Sequence, residues 1–199
     1  MLSRPTTKGA SVASAVRATV DAQLAGLGDT VTDEERAWLE SALASDAAAW
    51  AGELGVEHDE SALVVETNVF RYRPHPRVLV RAGAGARPVE VLRLVAAATL
   101  TRARVVVSAD PSLDLPASLG HVQVVTEDEA ACLVRARATA DERVRAIGEV
   151  PPTLVDDLVA GGVDVITGEV LATGRRELLP FVREQAVSTT RHRFGHVAG

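Results

Sequence analysis

The chain has 199 residues, of which 47% are hydrophobic, and it carries a formal net charge of -6. This length fits one domain, or one domain with an N-terminal appendage, and it allows a substantial buried core. The acidic balance and the scattered arginines argue against nucleic acid as the main partner, because neutralising phosphates requires clustered cations.

Cys132 is the only cysteine, which excludes an intramolecular disulfide and favours a reducing compartment. No run of about 18 apolar residues is present, so we expect no membrane-spanning helix. Arg17 interrupts any signal-peptide core near the N-terminus. We therefore predict a cytoplasmic protein.

The first part of the chain is predicted to be helical. Residues 1–10 are expected to form a disordered lead-in, and residues 11–61 an N-terminal helical segment. The first helix has an apolar row at helical spacing, closed by Gly28, which comprises Val12, Val16, Val20, Leu24 and Leu27. A capping box of Thr32 with Glu35 begins a second helix, which ends at Gly55.

Residues 62–186 alternate between strand-like and helix-like patterns. Strands are predicted at 63–72, 77–81, 105–107, 121–125, 143–147 and 163–166. Helices are predicted at 88–102, at 126–137 from a capping box of Thr126 with Glu129, and at 151–159. This alternation predicts an α/β, Rossmann-like, mostly parallel sheet with helices on both faces. We expect the following residues to be buried: Leu79, Leu94, Val95, Val106 and Ile166.

Gly83 and Gly85 lie between a strand and a helix, as in a dinucleotide-binding loop. The full fingerprint has a third glycine where this chain has Pro88, and Asp110 comes slightly late to bind a ribose. A purely structural turn is therefore the favoured interpretation, with nucleotide binding the alternative. Gly83, Gly85 and Ser108 are the candidate cofactor-binding residues.

No catalytic or metal-binding residue is predicted. Cys132 lies within an apolar helical run, where neither a helix N-terminus nor a cation lowers its pKa, so we interpret it as a small buried hydrophobic residue. His192 and His196 are four residues apart, but no acidic residue or cysteine nearby completes a metal site.

The end of the chain has the pattern of a docking element. A helix is predicted at 175–185, followed at 187–194 by a strand on which polar side chains lie on both faces. Such a strand at a chain end tends to pair with another strand. We predict a C-terminal β-flap over residues 187–199, with these interaction residues: Val187, Thr189, Arg191, His192, Arg193 and Phe194.

Three segments, 66–74, 105–108 and 174–195, together resemble one family, and 46–50 and 54–56 add to the likeness. The resemblance is to the C-terminal, aldehyde-dehydrogenase-superfamily region of bifunctional proline utilization A. That enzyme joins proline dehydrogenase, which uses FAD, to L-glutamate-γ-semialdehyde (1-pyrroline-5-carboxylate) dehydrogenase, which uses NAD. The resemblance covers about residues 40–199, and the terminal segment is its most specific part.

The departures from the family pattern concern its chemistry. Aldehyde dehydrogenases attack the substrate with a cysteine thiolate from a separate catalytic domain, whereas Cys132 lies in no matching motif. The family's cofactor strand ends in a lysine that binds the adenosine ribose, and Ser108 stands at that position. The flavin-binding barrel of proline dehydrogenase requires about 250 residues and has no counterpart.

The resemblance therefore implies a non-catalytic domain without a cofactor of its own. Its flap is expected to cover the semialdehyde dehydrogenase domain of the parent enzyme, or to pair with a second copy of the chain. A free-standing nucleotide- or metabolite-binding Rossmann-like domain is the alternative, and an active dehydrogenase fragment ranks last. The sequence leaves open whether the chain is an excised domain or a complete gene product, and residues 1–10, which look unrelated to the rest, are consistent with a truncated reading frame.

Overall fold

The computed structural model describes residues 10–59, 66–138 and 143–190. Most of the predicted lead-in therefore lies outside the described residues. The same holds for His196 and for four of the predicted flap residues, namely Arg191, His192, Arg193 and Phe194. The helices are α1 (Ser14–Leu27), α2 (Asp33–Ala49), α3 (Pro88–Thr101), α4 (Glu129–Arg137), α5 (Pro152–Ala160) and α6 (Gly174–Glu177). The strands are β1 (Glu66–Pro74), β2 (Val78–Ala82), β3 (Val105–Ala109), β4 (Ser118–Leu119), β5 (Val122–Thr126), β6 (Arg143–Ile147), β7 (Asp164–Ile166) and β8 (Val182–Thr190).

The two N-terminal helices begin and end at residues that the sequence indicates. Gly28, with a φ of 52°, follows the last residue of α1. The predicted capping box of α2 is present, since the Thr32 side chain accepts from the Glu35 N–H and the Glu35 carboxylate accepts from the Thr32 N–H. After α2 the chain makes one π-helical turn, Trp50–Leu54, before Gly55. None of the helices in the described ranges is long and apolar enough to cross a membrane.

The main sheet has six strands in the order β4-β5-β3-β2-β6-β7. All neighbouring pairs are parallel except β4 with β5. The chain runs outward from the central strand β2, first through β3 to β5 and then through β6 to β7. This is the doubly wound order of a Rossmann-like fold, and it confirms the predicted fold class.

Helix α3 lies between the sheet and the N-terminal helices, which explains why it is apolar almost all round. Leu94 and Val95 pack with sheet residues that include Val80. On the other side of the helix, Leu92 packs with residues of α1 and α2 that include Leu39. A helix buried on two sides needs no polar face.

Helices α4 and α5 cover the opposite face of the sheet, where Cys132 and Leu158 pack against Leu79. Of the five residues expected in the core, Leu79, Leu94 and Val95 are fully buried. Val106 and Ile166 are only half-buried, so that part of the prediction is wrong. Ile166 is the last residue of the edge strand β7. Val106 faces α4 and α5, and these two nine-residue helices leave part of the sheet uncovered.

Two predicted elements are corrected near the ends of strands. Strand β5 extends through Thr126, so the predicted capping box at that residue is wrong. Asp128 caps α4 instead, and its carboxylate accepts from the N–H of Ala131 at 2.8 Å. The helix predicted at 175–185 is also wrong, because α6 ends at Glu177 and β8 already begins at Val182. Pro180, which has no N–H to donate, lies in the 3₁₀ turn between them.

Strands β1 and β8 form a separate two-stranded antiparallel sheet, which we call the ribbon. Its nine residue pairs run from Glu66 with Thr190 to Pro74 with Val182. Val187 lies opposite Val69 and Thr189 opposite Thr67. The backbone partners that were expected from another molecule are thus supplied by β1 as far as Thr190.

Candidate functional site

The first candidate site is the crevice at the carboxyl ends of β2 and β6. Strand order reverses between these two strands, and doubly wound sheets bind their ligands at such a point. Gly83 and Gly85 follow β2, while Gly148 follows β6. The topology therefore brings the two candidate glycines to the place where a nucleotide would be expected.

The two loops at this crevice bind to each other. The Gly83 N–H donates to the Ile147 carbonyl at 2.9 Å, and the Glu149 N–H donates to the Ala84 carbonyl at 2.8 Å. A Cβ atom on Gly83 would overlap the Glu149 carbonyl oxygen. Gly85 has a φ of 73°, which glycine adopts without strain. Loop contact and turn geometry account for both glycines without a ligand.

The remaining groove outside these loops has a volume of about 390 Å³. Among the described residues, its one cationic wall residue is Arg87, whose guanidinium binds Glu90 at 3.0 Å and Glu35 at 3.4 Å. The Glu90 carboxylate also accepts from the Arg87 N–H and so caps α3. The charged groups that would bind a phosphate at a helix N-terminus are already paired within the chain.

Ser108, the third candidate cofactor-binding residue, is fully buried and lies in a different environment. Its hydroxyl accepts from Arg81 Nη1 at 3.1 Å. Arg81 also donates to the Glu127 carbonyl at 2.9 Å and to the Asp110 carboxylate at 3.3 Å. The structure thus does not bring Ser108 together with the glycines in an open site. Sequence reasoning missed Arg81, although an arginine inside an apolar strand is itself a signal of a buried polar cluster.

Cys132 has the surroundings of an inert thiol. Its side chain is fully buried beneath the sheet, and this burial raises the pKa of the thiol above its ordinary value. A reactive cysteine needs exposure and a lowered pKa. In the described parts of the chain, no group of three His, Cys, Asp or Glu residues could hold a metal ion.

Two buried ion pairs, which the sequence patterns did not predict, hold the segment that leads into the ribbon. Asp46 of α2 accepts two bonds of 2.6 Å from Arg93 of α3. Burial raises the pKa of the Asp46 carboxyl to about 6, and the Arg93 charge opposes this rise. Arg145 of β6 binds Glu177 of α6 at 2.9 Å, and Glu177 also accepts from the Leu171 N–H.

Gly174 connects these two pairs. Its N–H donates to the Ser45 hydroxyl at 2.9 Å, and a Cβ atom on it would lie 2.6 Å from the Asp46 Cα. Only glycine permits this close approach of α6 to α2. The base of the ribbon is therefore fixed to the body by buried charges and by direct backbone contact.

The ribbon is the second candidate site, because the outer edge of β8 has no strand partner among the described residues. The N–H and carbonyl of Phe70 bond to His58, on the side of β1 that faces away from β8. Ala186 lies directly opposite Phe70, so its own N–H and carbonyl point away from β1. Among the residues the structure describes, β8 pairs with β1 alone. Within these ranges, the outward backbone groups of β8 around Ala186 therefore bond to no other strand.

The doubly wound sheet, the N-terminal helices and the terminal ribbon together define a class of fold, a Rossmann-like α/β domain of the type found in aldehyde dehydrogenases. One similar structure is an aldehyde dehydrogenase from Bacillus cereus, solved as an NAD+ complex. The match covers 83% of this chain and 40% of the dehydrogenase chain, with a TM-score of 0.58 and 14% identity, and it shows a likeness of fold. Proline utilization A from Bradyrhizobium japonicum matches 77% of this chain and 19% of its own with a TM-score of 0.57 and 15% identity.

Over nearly its whole length, this chain resembles proline utilization A from Corynebacterium freiburgense. The match has 34% identity and a TM-score of 0.63, and it covers 99% of this chain but 16% of that much longer protein. The resemblance to an aldehyde-dehydrogenase-superfamily domain of proline utilization A is therefore confirmed. No protein-family model matches the chain, and no curated protein matches it.

We expect the isolated chain to show no NAD-dependent oxidation of glutamate semialdehyde. The reason is that its one thiol is buried and the loops at the crevice bind each other. The measurement is NADH formation at 340 nm with the purified chain, with Cys132→Ala as the matched variant. Turnover that disappears in Cys132→Ala would contradict the expectation.

Proposed function

We propose that this chain is a non-catalytic aldehyde-dehydrogenase-like domain of a cytoplasmic proline-catabolic enzyme. The parent enzyme would convert proline to glutamate through 1-pyrroline-5-carboxylate. The domain docks through its ribbon on the semialdehyde dehydrogenase domain and covers it. Similarity to a proline utilization A over nearly the whole chain supports the choice of parent.

The arrangement of polar groups in the body supports a non-catalytic role. The chain's cysteine is buried, and the Ser108 hydroxyl accepts a hydrogen bond from the buried Arg81 instead of facing an open nucleotide site. Gly83 lies against the loop that follows β6, where a ligand would need space. Cys132, Ser108 and Gly83 thus each have a structural role in the body.

The observation that carries the docking proposal is the open outer edge of β8. The residues whose backbone groups point away from β1 alternate along the strand, and Glu184, Ala186 and Ser188 are among them. A strand of another domain can bond to these groups by strand addition. An isolated two-stranded sheet is marginally stable, so a third strand would also stabilise the ribbon itself.

The buried ion pairs at the base of the ribbon give it a defined position. Because Glu177 and Asp46 hold the segment before β8 against the body, the ribbon is presented at a fixed place on the surface. A preorganised element loses less conformational entropy on docking than a loose tail does. When the parent's dehydrogenase domain is absent, the same edge is expected to pair with a second copy across a two-fold axis.

We expect Ala186→Pro to abolish docking on the dehydrogenase domain while the body stays folded. Proline removes the outward N–H of Ala186 but leaves the hydrogen bonds between β8 and β1 intact. Deleting residues 187–199 should have the same effect. The measurement is sedimentation velocity of the chain, alone and mixed with a semialdehyde dehydrogenase domain from a proline utilization A.

Ala186→Ser is the control, since it keeps the N–H at the same position and should sediment like the unaltered chain. Loss of the complex, or of the self-associated form, in the proline variant and in the deletion supports the proposal. If all variants sediment as the unchanged chain does, the ribbon packs on its own domain only and the docking role is wrong.

A further inference from the structure

A cavity of about 460 Å³ lies at the end of the domain opposite the crevice. Its walls come from the start of α1, the π-helical turn, the end of β1 and the end of α3. The crevice lies at the other end of α3, about 20 Å away for a 14-residue helix. The cavity is therefore a separate feature from the family's nucleotide site.

Aromatic and aliphatic side chains line part of this cavity. They include the half-buried rings of Trp50 and Tyr72, with Leu100 and Pro74 beside them. The indole N–H of Trp50 donates no hydrogen bond to any residue in the described ranges. Aromatic rings that can also donate a hydrogen bond are typical of sites for small ring-containing molecules.

Two arginines, Arg73 and Arg102, also line the cavity, and both are exposed. Within the described part of the chain, neither makes a hydrogen bond or an ion pair. Many other arginines of this acidic chain do have carboxylate partners, for example Arg87 with Glu90. The cavity thus combines aromatic side chains with two arginines that form no ion pair among the described residues.

Both arginines stand at positions where the fold disfavours them. Arg102 follows α3 in the left-handed conformation, with a φ of 61°, at a position that usually carries glycine or asparagine. Arg73 lies directly opposite Arg183 in the ribbon, and like charges at such positions destabilise an antiparallel pair. An anion bound at Arg73 would offset part of this repulsion.

We propose that this cavity binds a small organic carboxylate that carries a flat ring. The carboxylate accepts charge-assisted hydrogen bonds from Arg73 and Arg102, and the ring lies against Trp50 and Tyr72. The cavity has the volume of a typical small-molecule site. This inference does not depend on the proposed docking function, because none of its residues lies on the outer edge of β8.

The test uses benzoate as the probe and Trp50 as the reporter. Trp38→Phe leaves Trp50 as the only tryptophan, and benzoate should change its emission saturably. Arg73→Gln and Arg102→Gln should each weaken binding by about tenfold, since each removes a charge-assisted bond. Calorimetric titration of the unaltered chain gives the same affinity without relying on the Trp38 variant.

Arg104→Gln is the matched control, because Arg104 is exposed, lies two residues from Arg102 and does not line the cavity. The Arg104→Gln variant should bind benzoate with the same affinity as the unaltered chain. Inorganic phosphate should bind at least about tenfold more weakly than benzoate, since it cannot use the aromatic wall. The proposal is overturned if benzoate does not saturate, if the three glutamine variants behave alike, or if phosphate binds as tightly as benzoate.

Discussion

Asp46→Ala is expected to lower the free energy of unfolding by about 3–5 kcal/mol, because it leaves the Arg93 guanidinium buried without its carboxylate. Both side chains are almost completely buried, and the two bonds between them are 2.6 Å long. Urea denaturation followed by circular dichroism measures the effect. The segment that leads into β8 should also loosen, since Gly174 packs on the Asp46 backbone.

Two further variants separate the charge effect from a general loss of packing. Asp46→Leu combined with Arg93→Met should recover much of the lost stability, because replacing both members of a buried pair by apolar residues removes the unpaired charge. Glu57→Ala breaks the exposed pair of Glu57 with Arg71, and it should cost about 1 kcal/mol or less. If Asp46→Ala and Glu57→Ala lowered the free energy of unfolding equally, the buried pair would contribute no more to stability than the exposed pair.

Gly83→Ala is expected to destabilise the domain by about 3 kcal/mol. The added Cβ would overlap the Glu149 carbonyl, so the loops after β2 and β6 could no longer keep their mutual hydrogen bonds. Thermal and urea denaturation measure the loss. The effect tests directly whether the crevice is closed by the chain itself.

Gly26→Ala is the control for this substitution. Gly26 lies within α1, where a Cβ meets no atom within 4 Å, so alanine should stabilise the domain by about 0.5–1 kcal/mol. If Gly83→Ala were as stable as the unaltered chain, the two loops would have to separate in solution. The crevice would then be open to a ligand, contrary to the proposed non-catalytic role.

Local patterns in the sequence were sufficient for most of the body. The Thr32 capping box, Gly28 after α1 and Pro88 at the start of α3 act over three or four residues, so their signals can be read directly. Continuous apolar strands separated by helical patterns likewise predicted the parallel sheet. The residues of the terminal segment also indicated the resemblance to proline utilization A, because the likeness there lies in residue types and their order.

The boundary between α6 and β8 was decided by tertiary pairing. Residues 178–185 can be read as a helical pattern, and no local feature except Pro180 contradicts it. Pairing of Arg183 and Gln185 with β1, more than 100 residues earlier in the chain, makes the strand the better conformation. Strand pairing between such distant segments overrides local preference.

By itself, the sequence determined the fold class, the order of the main elements and the absence of a matching nucleophile motif, because each depends on periodicity or on local residue types. Only the tertiary structure decided what the polar residues do. It paired Asp46 with Arg93, buried Ser108 beside Arg81 and closed Gly83 against the next loop. Each contact joins segments far apart in the chain, and a local sequence pattern does not identify the partner of a buried charge.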